Sequence, residues 1–295
     1  MRIFNSVTAS ALALVVISGA AQAGTTSTLV IHAGETYSVT ANSLGTSAVT
    51  TLAVGTKVPA QQSTVKYSTK SGVTSGFGNY ARATSTVVYD SASDTYTLRD
   101  TGSLSITSSF GPANVDSGAS STEFTVYSKN GGNETFRLLN KSAVPLTYVQ
   151  YGEWKRSATA SGTTSVNDTF LVFGDKTTKA QMPHSGSASY TTMYDGNFVD
   201  KDGEHALDGT GTMTASFGSG SLGYTATING APDGSLAFAG TGSISYAGNI
   251  MTSNSTSGYT LSQYGNFYGP AAEEVGGLFK LSNRYGQGQG AFVGN

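Results

Sequence analysis

The 295-residue chain has no cysteine. That excludes disulfides, thiolate metal sites and cysteine nucleophiles, and it leaves no residue for an N-terminal lipid anchor. The core alone must hold the fold. Charge is also scarce: 12% of residues are charged, about half the usual share, and the net charge is −2. Phosphate backbones are bound by clustered Lys and Arg. Here Lys155, Arg156, Lys176 and Lys179 are scattered among acids, so nucleic acid is not an expected partner. Helical periodicity is almost missing beyond residue 23, and no later apolar run approaches the ~18 residues of a membrane helix.

What the chain does contain is Gly (38 residues), Tyr (16) and Phe (13), with Ser and Thr filling the gap left by charge. A disordered chain would be richer in charge and poorer in aromatics. Thr, Tyr and Gly with few charges suit many short strands joined by tight turns. The N-terminus has the layout of a secretory signal peptide: Arg2, the apolar run Ala11–Ile17, then Ala21-Gln22-Ala23 as a cleavage site. The rival is a buried helix. Cleavage after Ala23 would start the mature chain at Gly24 and, with Arg2 lost, take the net charge from −2 to −3.

Period-two alternation recurs along the rest. Thr86–Tyr89 and Thr95–Leu98 flank a polar loop, and Phe124–Tyr127 and Thr135–Leu138 flank Asn130-Gly131-Gly132-Asn133; both read as hairpins. Met213, Ala215 and Phe217 share one face, as do Leu222, Tyr224, Ala226 and Ile228, and Leu236 with Phe238. From about residue 147 the strands lengthen. Nine candidates lie near 147–156, 168–174, 185–193, 207–217, 221–229, 235–246, 257–268, 274–282 and 288–294. Such a series suggests an antiparallel barrel of eight to nine strands, which removes exposed edges. An open sandwich and an outer-membrane barrel are the alternatives. The expected class is therefore all-β: a signal peptide over 1–23, a small β-rich domain over 24–142 and a barrel over 143–295.

Four segments are more specific than composition. Gly265-Asn266-Phe267-Tyr268-Gly269-Pro270-Ala271-Ala272-Glu273-Glu274-Val275-Gly276-Gly277-Leu278-Phe279 is followed by a Gly-rich end, Gly288–Gly294. Upstream lie Phe173-Gly174-Asp175-Lys176-Thr177, then Met182-Pro183-His184-Ser185-Gly186-Ser187-Ala188-Ser189-Tyr190, then His205–Gly211 before a strand ending Ala215-Ser216-Phe217. In this order they resemble the barrel domain of the transferrin-binding protein B-like family. The resemblance covers about 146–295. It implies a handle-like domain before an eight-stranded barrel, and an exported bacterial binding protein in iron or haem acquisition or host-factor binding. Haem or a host iron protein would be the ligand, with an outer-membrane receptor or translocator as a further partner. The product would be periplasmic, outer-membrane-associated or secreted, without a lipid anchor, similar to haemophore-like members. A structural or interaction protein of the cell envelope, with no captured ligand, is the alternative.

The long motif also has a physical reading. Phe267 and Tyr268 fall on opposite faces of a strand end, and Gly269-Pro270 stops that strand. Pro270 could open one helical turn over Ala271–Glu274. Gly276 and Gly277 allow close approach of neighbouring backbone before Leu278 and Phe279. This makes Gly265, Phe267, Tyr268, Gly269, Pro270, Glu273, Gly276, Gly277 and Phe279 a structural set. Of the three histidines, His184 and His205 fall in predicted loops and are the candidate ligand-binding residues, whereas His32 falls in a strand. No spacing suits zinc, and Asp200-Lys201-Asp202-Gly203-Glu204 lacks the full calcium loop. Catalysis finds no footing either. There is no Gly-x-Ser-x-Gly, adjacent Glu273 and Glu274 would face opposite ways on a strand, and Gly286-x-Gly288-x-Gly290 precedes no helix.

Overall fold

The computed structural model describes residues 36–42, 56–70, 73–79, 85–90, 93–100, 106–140 and 144–295. The signal segment and His32 lie outside the described residues. The elements are nearly all strands: β1 (Thr36–Asn42), β2 (Thr56–Lys70), β3 (Val73–Asn79), β4 (Ser85–Asp90), β5 (Thr95–Asp100), β6 (Ile106–Phe110), β7 (Phe124–Lys129), β8 (Glu134–Leu139), β9 (Val149–Ala160) and β10 (Thr163–Gly174). They continue with β11 (Ser187–Asp200), β12 (Gly203–Ser216), β13 (Ser221–Ala231), β14 (Gly234–Ile244), β15 (Asn249–Thr256), β16 (Tyr259–Tyr268), β17 (Glu274–Ser282) and β18 (Gln287–Gly294).

The first ten strands make one sheet in the order β6-β5-β4-β1-β2-β10-β9-β8-β7, with β3 on β2. Both expected hairpins are present, as β4–β5 and β7–β8. The second turn reverses where Asn130 and Gly131 both take positive φ, the conformation that Asn and Gly adopt at least cost. The sheet curls so that Tyr96 and Phe110 meet Tyr127 and Phe136 across a core that also holds Leu98, Trp154, Leu171 and Phe173.

The last eight strands close into an antiparallel barrel, with β18 pairing back to β11. It begins at Ser187, not near 147. The candidates at 147–156 and 168–174 are β9 and β10, which belong to the sheet. The reason is visible in their burial. Trp154, Leu171 and Phe173 face the curled core, while Val149, Tyr151, Phe170 and Val172 face the barrel. The run Phe170-Leu171-Val172-Phe173 is a strand covered on both sides. A barrel strand with one wet face alternates instead, as Thr225-Ala226-Thr227-Ile228 does. The count returns to eight through β15, which the sequence reading missed. Its segment Asn-Ile-Met-Thr-Ser-Asn-Ser-Thr buries only Ile250 and Thr252, too little apolar pattern to read as a strand.

Outward positions of the barrel are largely Thr and Ser, among them Thr210, Thr212, Thr214, Thr225 and Thr227. Its interior holds Phe198, Phe267, Phe279, Phe292, Tyr190, Tyr194, Met213 and Leu261, all buried. This is the reverse of an outer-membrane barrel, which turns an apolar band outward. No helix among the described residues is long and apolar enough to cross a membrane.

Large rings fit the narrow lumen because glycines on neighbouring strands leave them room. A Cβ on Gly265 or on its cross-strand partner Gly277 would lie 2.8 Å from the tip of the Phe292 ring. In the lumen the Tyr194 hydroxyl donates to Gln263, whose amide donates to Thr252 (2.8 and 3.0 Å).

Candidate functional site at one end of the barrel

Three of the four segments carrying the sequence motifs converge on one end of the barrel; His205–Gly211 does not. Residues 175–186 arrive there from β10 before β11 starts, and the β12–β13, β14–β15 and β16–β17 turns meet them. The Thr177 amide donates to the Phe267 carbonyl and the Gly269 amide to the Asp175 carbonyl (2.9 and 2.8 Å). The Thr177 hydroxyl donates to the Gly269 carbonyl (2.6 Å), and the Tyr190 hydroxyl to that of Ala272 (2.6 Å). Met182 then packs into the barrel core, beneath Gly248. The Phe-Gly-x-x-Thr, Met-Pro and Phe-Tyr-Gly-Pro segments thus form one lid stitched by hydrogen bonds.

The long motif follows its physical reading at several points. Phe267 joins the interior core and Tyr268 the outer one. The strand stops at Tyr268, and Gly269 takes a φ of +87°. One detail differs. Residues 269–272 form a turn rather than a helical turn, with Ala272 at φ +62°, and β17 begins at Glu274, where the candidate strand 274–282 starts. Pro270 restricts only its own φ; the positive φ at Gly269 and Ala272 prevents helical hydrogen bonding on either side.

Glu273 and Glu274 indeed point apart. Glu273 is exposed and accepts from the Ala271 amide (2.8 Å). Glu274 is buried and accepts from three successive backbone amides of the entry to β9: Thr147, Tyr148 and Val149, the last two at 2.8 Å. Sequence reasoning missed this role, because the donors lie 125 to 127 residues away. Both Glu274 oxygens are thus committed to backbone amides. Glu273→Gln should cost less than about 1 kcal/mol, since an amide oxygen can keep the turn bond; thermal unfolding of the variant checks this.

Outside the lid is an exposed rim. His184, Met182 and Pro183 face Phe217, Ile244 and Tyr246 across a cleft of about 250 Å³. Tyr246 is 70% exposed. The His184 ring stacks on it with centroids 6.2 Å apart, and Lys179 Nζ sits 4.2 Å above its ring. Just inside, Lys176 is buried and its Nζ donates to Asn249 Oδ1 (3.2 Å). Burial brings its pKa down to about 8. Aromatic, cationic and imidazole groups therefore share a rigid edge, a mixture suited to contact with a protein surface.

His205 is not part of this rim. It lies on β12 beside the β11–β12 turn, at the opposite end of the barrel, with Nε2 3.2 Å from Asp200 Oδ1. The two candidate histidines therefore cannot act on one small ligand. Among the described residues no group of three or more His, Asp or Glu side chains could hold a metal ion.

A curled all-β sheet seated on a filled eight-stranded barrel is the class that this geometry defines. No family model matches the chain. Among solved structures it is similar to a transferrin-binding protein B variant from Haemophilus parasuis Hp5, at 15% identity over 76% of this chain and 54% of that one, with a TM-score of 0.44. It is also similar to isotype 1 transferrin-binding protein B from serogroup B Neisseria meningitidis (15% identity, 79% of this chain, 43% of that one, TM-score 0.47). A third is the N-lobe domain of lactoferrin-binding protein B of Moraxella bovis (12% identity, 54% of this chain, 79% of that one, TM-score 0.38). The chain spans about half the length of the two transferrin-binding structures.

Proposed function

We propose that this chain is an exported, non-enzymatic binding protein of the transferrin-binding protein B-like class. In this reading it engages a host protein factor through the rim at the lidded end of its barrel. One observation carries it: the barrel interior is occupied by its own aromatic side chains, while Tyr246, the most exposed of the large apolar side chains among the described residues, stands on the rim between Lys179 and His184. A container for a small ligand keeps its lumen open. A scaffold that displays loops fills it. Export is supported by the apolar run Ala11–Ile17 and Ala21-Gln22-Ala23. The absence of catalysis is supported by the commitment of Glu274 to backbone amides.

Transferrin and lactoferrin, after which the similar structures are named, are the first probes. The wild-type protein should bind one of them in a surface-immobilised assay. Tyr246→Ala should weaken that binding at least about tenfold, the loss of a typical aromatic contact at an interface, with an unchanged melting temperature. Binding insensitive to Tyr246→Ala would remove the rim from the account. Binding of neither protein would favour a cell-envelope component without a captured ligand.

A further inference from the structure

The seam between the sheet and the barrel carries more negative than positive groups, and it is buried. From the sheet come Arg137 on β8, Glu153 and Lys155 on β9, and Asp168 on β10. From the barrel come Asp195 on β11 and Glu204 on β12. Arg137 bonds Glu153 through Nε and Asp195 through Nη2 (2.8 and 2.6 Å), and Lys155 bonds Glu204. The Asn197 side-chain nitrogen donates to both Glu153 Oε1 and Asp168 Oδ2, each at 2.8 Å. Gln289 on β18 donates to the Asp168 carbonyl (2.8 Å). Tyr151 on β9 is the remaining titratable group beside Asp195. In the register of β2 on β10 Val65 is the partner of Asp168, and β3 contains no charged residue.

Four carboxylates thus face two cations. Arg137 serves Glu153 and Asp195, and Lys155 is shared among Glu204, Asp168 and Glu153. Asp168 is 1% exposed, and its Oδ1 has no hydrogen-bond partner. It also shares a donor with Glu153, so two carboxylates are held close together, with Lys155, which stands opposite Asp168 in the β9–β10 pair, as the cation acting on both. A buried carboxylate with one oxygen left without a partner and a like charge beside it is relieved by taking up a proton.

We infer that the seam is a proton-operated latch, in which Asp168 is protonated when the sheet seats on the barrel and the sheet loosens as that proton leaves in alkaline solution. Burial, and then the charge of Glu153, raise Asp168 well above the usual carboxylate range, outweighing the opposing charge of Lys155 and the Asn197 hydrogen bond. Burial alone would also raise Glu153, but Arg137 and Lys155 outweigh it and keep that group ionised. Asp195 is raised by burial, offset in part by Arg137, to about 6. A carboxylate raised on folding binds its proton more tightly in the folded state. Its stabilisation is complete below the unfolded value near 4 and is lost as the pH climbs through the folded value. The seam should therefore be firmest in mild acid, the opposite of an ordinary salt-bridged carboxylate.

The test is thermal unfolding between pH 6 and 8.5 with Asp168→Asn beside the wild type. The wild type should melt roughly 5 °C higher at pH 6 than at pH 8.5. The variant should lose that gain and melt above the wild type at pH 8.5. A variant that keeps the gain, or melts lower at pH 8.5, overturns the inference. Hydrogen exchange on the wild type decides the matter without any variant. After correction for intrinsic rates, protection of 163–174 and 187–200 should fall at least about tenfold between pH 6 and 8.5, relative to 221–231 and 234–244. An unchanged ratio would overturn it equally.

Discussion

Replacing Glu274 by Ala is expected to cost about 3–5 kcal/mol, a drop of roughly 10 °C in melting temperature for a chain of this size. The side chain lies at the edge of the sheet–barrel contact and is 3% exposed. Its two oxygens accept from the amides of Thr147, Tyr148 and Val149, the residues where the chain turns into β9. Removing the carboxylate takes the acceptor from one buried amide, that of Val149, and two partly buried ones, and an unpaired buried donor costs about 1–3 kcal/mol before water or a local shift relieves it. Val149 also packs against the seam with Leu278 and Val293, so the damage should extend to the docking of sheet on barrel. Glu274→Gln keeps one acceptor oxygen and should lose about half as much. Denaturant unfolding of both variants checks the order. If Glu274→Ala lost less than about 1 kcal/mol, the carboxylate would not be what anchors the start of β9.

Gly277→Val is the second large effect. An added Cβ would lie 2.2 Å from the Tyr264 carbonyl oxygen, 2.5 Å from Gly265 Cα and 2.8 Å from the Phe292 ring. Two of these are backbone atoms of a paired strand and cannot swing aside. The phenylalanine could, but only by leaving the pocket it shares with Tyr194, whose ring centroid is 5.8 Å away. The expected cost is at least about 3 kcal/mol, above ordinary overpacking because backbone must move. Gly276→Val should be milder. Its Cβ would point to the other face and meet side chains, Val149 at 2.7 Å and Tyr268 at 3.3 Å, which have some freedom to repack. Chemical denaturation of the two variants should rank them in that order; equal stability would mean the lumen is looser than its packing implies.

These two positions also show where sequence reasoning succeeds and where it stops. The strand periodicity of the barrel was legible because each strand has one apolar and one Ser/Thr face, as in Leu222-Gly223-Tyr224-Thr225-Ala226. The opposite orientations of Phe267 and Tyr268 followed from alternation alone, and the crowding around Gly277 from its place beside Leu278 and Phe279. Partnerships across the chain were not legible. Glu274 reads as half of an acidic pair at a turn, and nothing nearby shows that it anchors a segment 125 residues upstream. Arg137, Glu153 and Asp168 look like ordinary polar residues of sheet strands until the barrel brings Asp195 and Asn197 against them. The β9–β10 hairpin was misplaced because period two is common to both sheets. Only burial on both faces distinguishes it, and its one local sign is the unbroken run Phe170–Phe173. On the rim, His184 is legible as a loop histidine, whereas Tyr246 is not: a lone Tyr in Ser245-Tyr246-Ala247-Gly248 has no pattern around it.

The central claim is that the barrel is a filled scaffold that binds on its rim, not a vessel for a small ligand. Titration of the folded protein with haem, followed at the Soret band, tests it most directly. The lumen is packed with Phe198, Phe267, Phe279 and Phe292, and His184 and His205 sit at opposite ends, so no saturable stoichiometric shift should appear. A one-to-one complex with a sharp Soret band, abolished by His184→Ala without loss of folding, would contradict the account and make haem capture the function of this end of the barrel.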